Sequence, residues 1–81
     1  MRNLLIDAVH KANDGYWDDA HMIVQKIEDP ISHWLHANLH REEGDIGNAK
    51  YWYQRALREY TEIDITEERQ SILNVLEGSG V

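Results

Sequence analysis

Apolar residues recur along this chain at spacings of three and four, and no stretch of six or more residues alternates apolar and polar as a half-buried strand would. The rhythm predicts five helices. The first covers residues 3–13 with Leu5, Ala8, Val9 and Ala12 on its core face, and Asn13-Asp14-Gly15 ends it, glycine being the residue that readily takes the positive φ after a helix. A second runs from Trp17 to about Glu28 on a stripe of Trp17, Ala20, Ile23, Val24 and Ile27. Asp29-Pro30 then reads as an N-cap followed by proline at the first helical position, opening a third helix over residues 30–43. Gly44 stops it. Asp45 caps a fourth helix to about Tyr60, with Ile46, Ala49, Tyr53, Ala56, Leu57 and Tyr60 as its stripe. Asp64-Ile65-Thr66-Glu67 resembles a capping box and starts a last helix to about Leu76, with Ile65, Ile72 and Leu76 inward.

The pattern predicts an all-α domain over residues 1–77, followed by a flexible tail at 78–81. Short connections make consecutive helices antiparallel neighbours, and the fifth helix would cover an open face. The third helix breaks the simple scheme. At 100° per residue, His33, His36 and His40 share one 60° sector, while Ile31, Leu35 and Leu39 lie on roughly the opposite side. Both faces therefore need a cover, and one cover must satisfy imidazoles.

A shift of 29 residues superposes the two halves: Gly15, Ala20, Val24 and Ile27 fall on Gly44, Ala49, Tyr53 and Ala56. Such self-similarity marks repeat architectures. The stretch Gly44-Asp45-Ile46-Gly47-Asn48-Ala49-Lys50-Tyr51-Trp52-Tyr53-Gln54-Arg55-Ala56-Leu57 is similar to the second helix of a tetratricopeptide repeat, with Ala49, Tyr53 and Ala56 at its small, aromatic and small positions. The first-helix pattern departs, reading His33-x2-His36-Ala37-x2-His40 where that family places large apolar residues. The resemblance implies helix-turn-helix pairs making about two units, plus a C-terminal capping helix. Trp34 to Ala56, with Trp17-Asp18-Asp19-Ala20-His21 upstream, also resembles a family of small bacterial proteins sharing approximately W-x-H-A-x-L-H-R-x-E-G-D-x-x-N-A-x-Y-W-Y-x-R-A. That likeness carries His36, His40, Arg41, Glu43, Asp45, Asn48, Tyr51 and Trp52 as family features and implies no activity.

Composition narrows the partners. A net charge of −7 disfavours nucleic acid and anionic membranes, both of which need a basic surface. No cysteine is present, which excludes disulfides and thiolate zinc sites and fits a reducing, cytoplasmic setting. The longest apolar run near the start, Leu4-Leu5-Ile6, predicts neither a signal peptide nor a membrane span. With 81 residues the core is small, so self-association into a homo-oligomer would help complete it.

Classical catalysis is not expected. Ser32 precedes His36 by four residues but lacks an oxyanion hole, and neither HExxH nor a glycine-rich phosphate loop occurs. The carboxylate pairs Asp18-Asp19, Glu42-Glu43 and Glu67-Glu68 read as solvated faces, since adjacent helical residues diverge. Two readings remain for the histidine face. The first is a protein-interaction module whose surface joins His21, His36, His40, Arg41, Asn48, Tyr51 and Trp52, binding a protein or peptide without a cofactor. The alternative is zinc or another divalent transition metal held by His21, His36 and His40 with Glu43, because an i, i+4 histidine pair is a half-site for such ions. The bland alternative to both is a set of neutral, packed imidazoles. Trp52 either lies under the last helix, closes over the histidines, or joins Tyr51 as an exposed contact.

Overall fold

Three helix starts and two helix stops have reasons visible in the residues beside them. The computed structural model describes residues 1–78, and among them α1 spans Arg2–Asn13, α2 Trp17–Val24, α3 Pro30–Glu42, α4 Ile46–Arg55 and α5 Ile65–Leu76. The chain is all-α. Apart from Gly78, the expected tail lies outside the described residues. Carboxylates cap three helix starts: Asp29 Oδ1 accepts from Ile31 N–H at 2.8 Å, Asp45 Oδ1 from Asn48 N–H at 3.3 Å, and Asp64 Oδ2 from Thr66 and Glu67 N–H at 3.0 and 3.1 Å. Each satisfies donors that the first helical turn leaves unpaired.

The 29-residue echo recurs in the backbone. Tyr16 N–H reaches Lys11 O at 2.8 Å around Gly15, and Asp45 N–H reaches His40 O at 2.9 Å around Gly44. Both glycines have positive φ, +90° and +83°. These are two copies of one helix stop, each reversing the chain within residues 14–16 or 43–45 so that α1 packs on α2 and α3 on α4.

Two helices are shorter than their apolar stripes predict. α2 ends at Val24 rather than near Glu28, and Asp29, extended at φ −155° and ψ 140° before proline, separates it from α3. Val24 O accepts from the Ser32 hydroxyl at 2.9 Å and from Ile27 N–H at 3.3 Å. α4 ends at Arg55, not Tyr60. Arg58 N–H bonds Tyr53 O at 3.0 Å around Leu57, a third stop of the same type built on a non-glycine residue at φ 61°. Leu57, expected in the stripe, is therefore 85% exposed. Ile46 is also exposed, while Tyr60 remains half-buried against the core.

α3 is the axis of the molecule, packing against α1, α2, α4 and α5. Every residue from Ser32 to His40 is buried as a result. Leu35 and Leu39 join Leu5, Val9, Val24, Ile72 and Leu76 in the apolar core. α5 packs on α3 and α1. No helix of the described residues is long and apolar enough to cross a membrane.

Candidate metal centre

The histidine face of α3 meets α2 on one side and α4 on the other. His33, His36 and His40 are 6%, 3% and 6% exposed, so the imidazole side is shielded as its spacing requires. His21 projects from α2 and brings its Nε2 to 3.1 Å from His36 Nε2. The His36 and His40 rings lie 4.9 Å apart, with His21 edge-on to both. One ligand nitrogen from each of His21, His36 and His40 lies within 4.8 Å of the others.

Two tryptophans hold this group in place. Trp17 donates its indole N–H to Leu39 O at 2.9 Å and stacks on His21 with centroids 4.8 Å apart. Trp52 stacks on His36 at 3.9 Å and also contacts His33 at 5.1 Å. Trp52 thus closes over the histidines, while α5 packs elsewhere. Tyr51 stays half exposed, edge-on to Trp52 and accepting a hydrogen bond from Arg55 at 3.2 Å.

Burial, reinforced by the imidazoles of His21, His40 and His33, lowers the His36 pKa from 6.5 to about 3. His21 is lowered as well, first by burial and then by His40. These rings are held neutral near pH 7, with lone pairs instead of a second proton. His40 Nδ1 lies 2.6 Å from Glu43 Oε1, a contact in which the ring nitrogen donates. In the neutral ring this places the proton on Nδ1 and the lone pair on Nε2, the arrangement that orients histidine ligands in metal sites. His33 faces Glu28 at 3.5 Å and stands outside the three-histidine group.

The other residues of the expected surface go elsewhere. Asn48 stays in the α4 cap with Asp45 at 3.4 Å. Arg41 turns away to a second polar cluster, which sequence reasoning missed. There Glu68 is 1% exposed and sits among donors: Trp34 Nε1 at 3.0 Å, Asn38 Nδ2 at 2.8 Å, Arg41 Nη2 at 3.0 Å and Tyr53 Oη at 2.7 Å. The reading of Glu67-Glu68 as a solvated face fails at Glu68, because α5 turns that side chain onto α3. Next to it, buried Arg69 donates to Asn38 Oδ1 at 2.8 Å and to Glu42 Oε1 at 2.5 Å. Burial, then the Glu68 contact, pushes the Tyr53 phenol well above its ordinary pKa. The available signal was register: Glu68 lies four residues before Ile72 and eight before Leu76, on the stripe that faces the core.

The hydrogen bonds of this second cluster tie α3, α4 and α5 together. The histidine group differs, since one nitrogen from each of its three rings converges on the others. No protein-family model, no curated protein and no solved structure matches the chain.

Proposed function

We propose that this protein is a helical metal-binding domain, with His21, His36 and His40 as ligands to zinc or another divalent first-row transition metal. The convergence of three imidazole nitrogens within 4.8 Å supports this reading. Tetrahedral zinc with Zn–N bonds of about 2.05 Å needs nitrogens roughly 3.3 Å apart. The His21–His36 pair stands at 3.1 Å, and small ring rotations would close the remaining separations. Neutral imidazoles, an oriented His40 and aromatic walls all favour nitrogen coordination of a borderline ion over hard, oxygen-seeking calcium or magnesium.

Zinc titration of chelator-treated protein tests it. One equivalent should bind, perturb the fluorescence of Trp17 and Trp52, and raise the melting temperature. A hundredfold excess over Kd should add about 2.7 kcal/mol of stability. His36→Ala and His21→Ala should abolish the response. Unchanged melting and fluorescence in the wild-type chain would reject the proposal.

A second reading, an interaction module, is favoured by a different face. Leu4 and Met22, each about half exposed, line a cavity of about 370 Å³ with Ile23, Ile27, Lys11 and Lys26 between α1 and α2. A protein or peptide partner would bury that apolar surface, and a second copy of the chain is the simplest to test. Sedimentation mass should then rise with concentration and return to the monomer in Met22→Asp. A constant monomer mass counts against self-association.

A further inference from the structure

We infer that a metal held by His21, His36 and His40 keeps one coordination position for a small exogenous ligand, an anion or a compact nitrogen donor. This rests on the metal-binding reading above. Three imidazoles leave a first-row ion one ligand short of a tetrahedron. Among the described residues His21, His36 and His40 form one group of converging ligand atoms, and a second group joins His40 to Glu43 and Asp45 without reaching His21 or His36.

The nearby side chains are committed in other directions. Glu43 accepts from His40 Nδ1 at 2.6 Å, on the side of the ring away from its coordinating nitrogen. Asp45 caps α4 through Asn48 N–H, and His33 pairs with Glu28. The two walls of the site are indoles, which donate one N–H and have no lone pair to give. Trp17 has already spent that N–H on Leu39 O.

Charge points the same way. Three imidazole ligands bring no negative charge to a dipositive ion, and the carboxylates that act on the site, Glu43 and Asp18, do so on His21 through space. An anion in the fourth place relieves that charge directly. His21 is the least buried of the three ligands, so a ligand of a few atoms has its approach on the α2 side.

The test uses the full chain loaded with cobalt(II), whose visible bands report coordination number. One equivalent of cobalt should give bands that zinc removes, and sodium azide should shift them saturably at one azide per metal. Imidazole should compete with azide for the same position. Cobalt bands that form but do not respond to azide or imidazole would overturn the open position while leaving the metal site intact. A response absent from wild type and gained in Glu43→Gln would also overturn it, by showing Glu43 in the fourth place. Absence of any cobalt band would overturn both inferences together.

Discussion

The His36 ring is buried among His21, His40 and Trp52, and its neutrality has a pH signature. In the unfolded chain it takes a proton near pH 6.5, but in the folded chain only near 3. Between those values the unfolded state binds more protons, so stability falls as pH falls. The contribution is fully present above the unfolded pKa, declines through the acid range and levels off below the folded one. Between pH 7 and 5 the loss amounts to about 2 kcal/mol. Urea melts of the metal-free wild type should therefore lose about 2 kcal/mol more over that interval than melts of His36→Gln. Equal losses would show that the ring is not held neutral. The same residue shows what spacing can reveal. His33, His36 and His40 were legible as one face of one helix and His21 as a candidate beside them, but the contact of His21 with His36 depended on how α2 lies across α3.

At the scale of elements, the three similar helix stops differ in one respect that can be measured. Gly15 and Gly44 take positive φ freely, whereas Leu57 does so with its side chain in solvent. A left-handed conformation costs an L-residue roughly 1–2 kcal/mol, offset in part by the greater entropy that glycine loses on folding. Leu57→Gly should raise the free energy of unfolding by about 0.5–1 kcal/mol, read from the urea midpoint at unchanged slope. A destabilised variant would mean that the leucine side chain contributes contacts of its own. The turn also returns Arg58 over Trp34, its guanidinium carbon 3.4 Å from the ring centroid. This explains why the fourth helix escaped its sequence reading. Leu57 fits an apolar stripe by spacing, and the contacts that accompany the earlier stop, Arg58 on Trp34 and Tyr60 on Tyr53, are not local to that stripe.

For the molecule as a whole, Glu68 joins α3, α4 and α5 through its hydrogen bonds to Trp34, Asn38, Arg41 and Tyr53. Removing it leaves the Arg41 guanidinium in a largely buried position without its counter-charge, and such losses cost about 3–5 kcal/mol. A domain of this size has roughly 5–15 kcal/mol in total, so Glu68→Ala should be close to unfolding at room temperature. Replacing both partners, Glu68→Leu with Arg41→Met, should recover much of the loss, because paired removal leaves no orphaned charge. Urea denaturation of the single and double variants measures this. A loss below about 1 kcal/mol for Glu68→Ala would show that the cluster is not a structural tie.

The existence of five helices, three aspartate caps, the 29-residue echo and the histidine face were legible in the chain alone, because each depends on residues within a turn or two of one another, whereas the ends of α2 and α4 were not. Only the tertiary structure decided where those faces meet. It placed Trp52 on His36 and His21 beside it, drew Arg41 from the expected surface to Glu68, and buried Glu68 and Arg69. The reason is physical: periodicity shows which side of a helix is to be covered, but not which element covers it. A charged side chain on a core stripe is tolerable only if its partners arrive from elsewhere. For Glu68 those partners are Trp34, Asn38, Arg41 and Tyr53, 15 to 34 residues away along the chain.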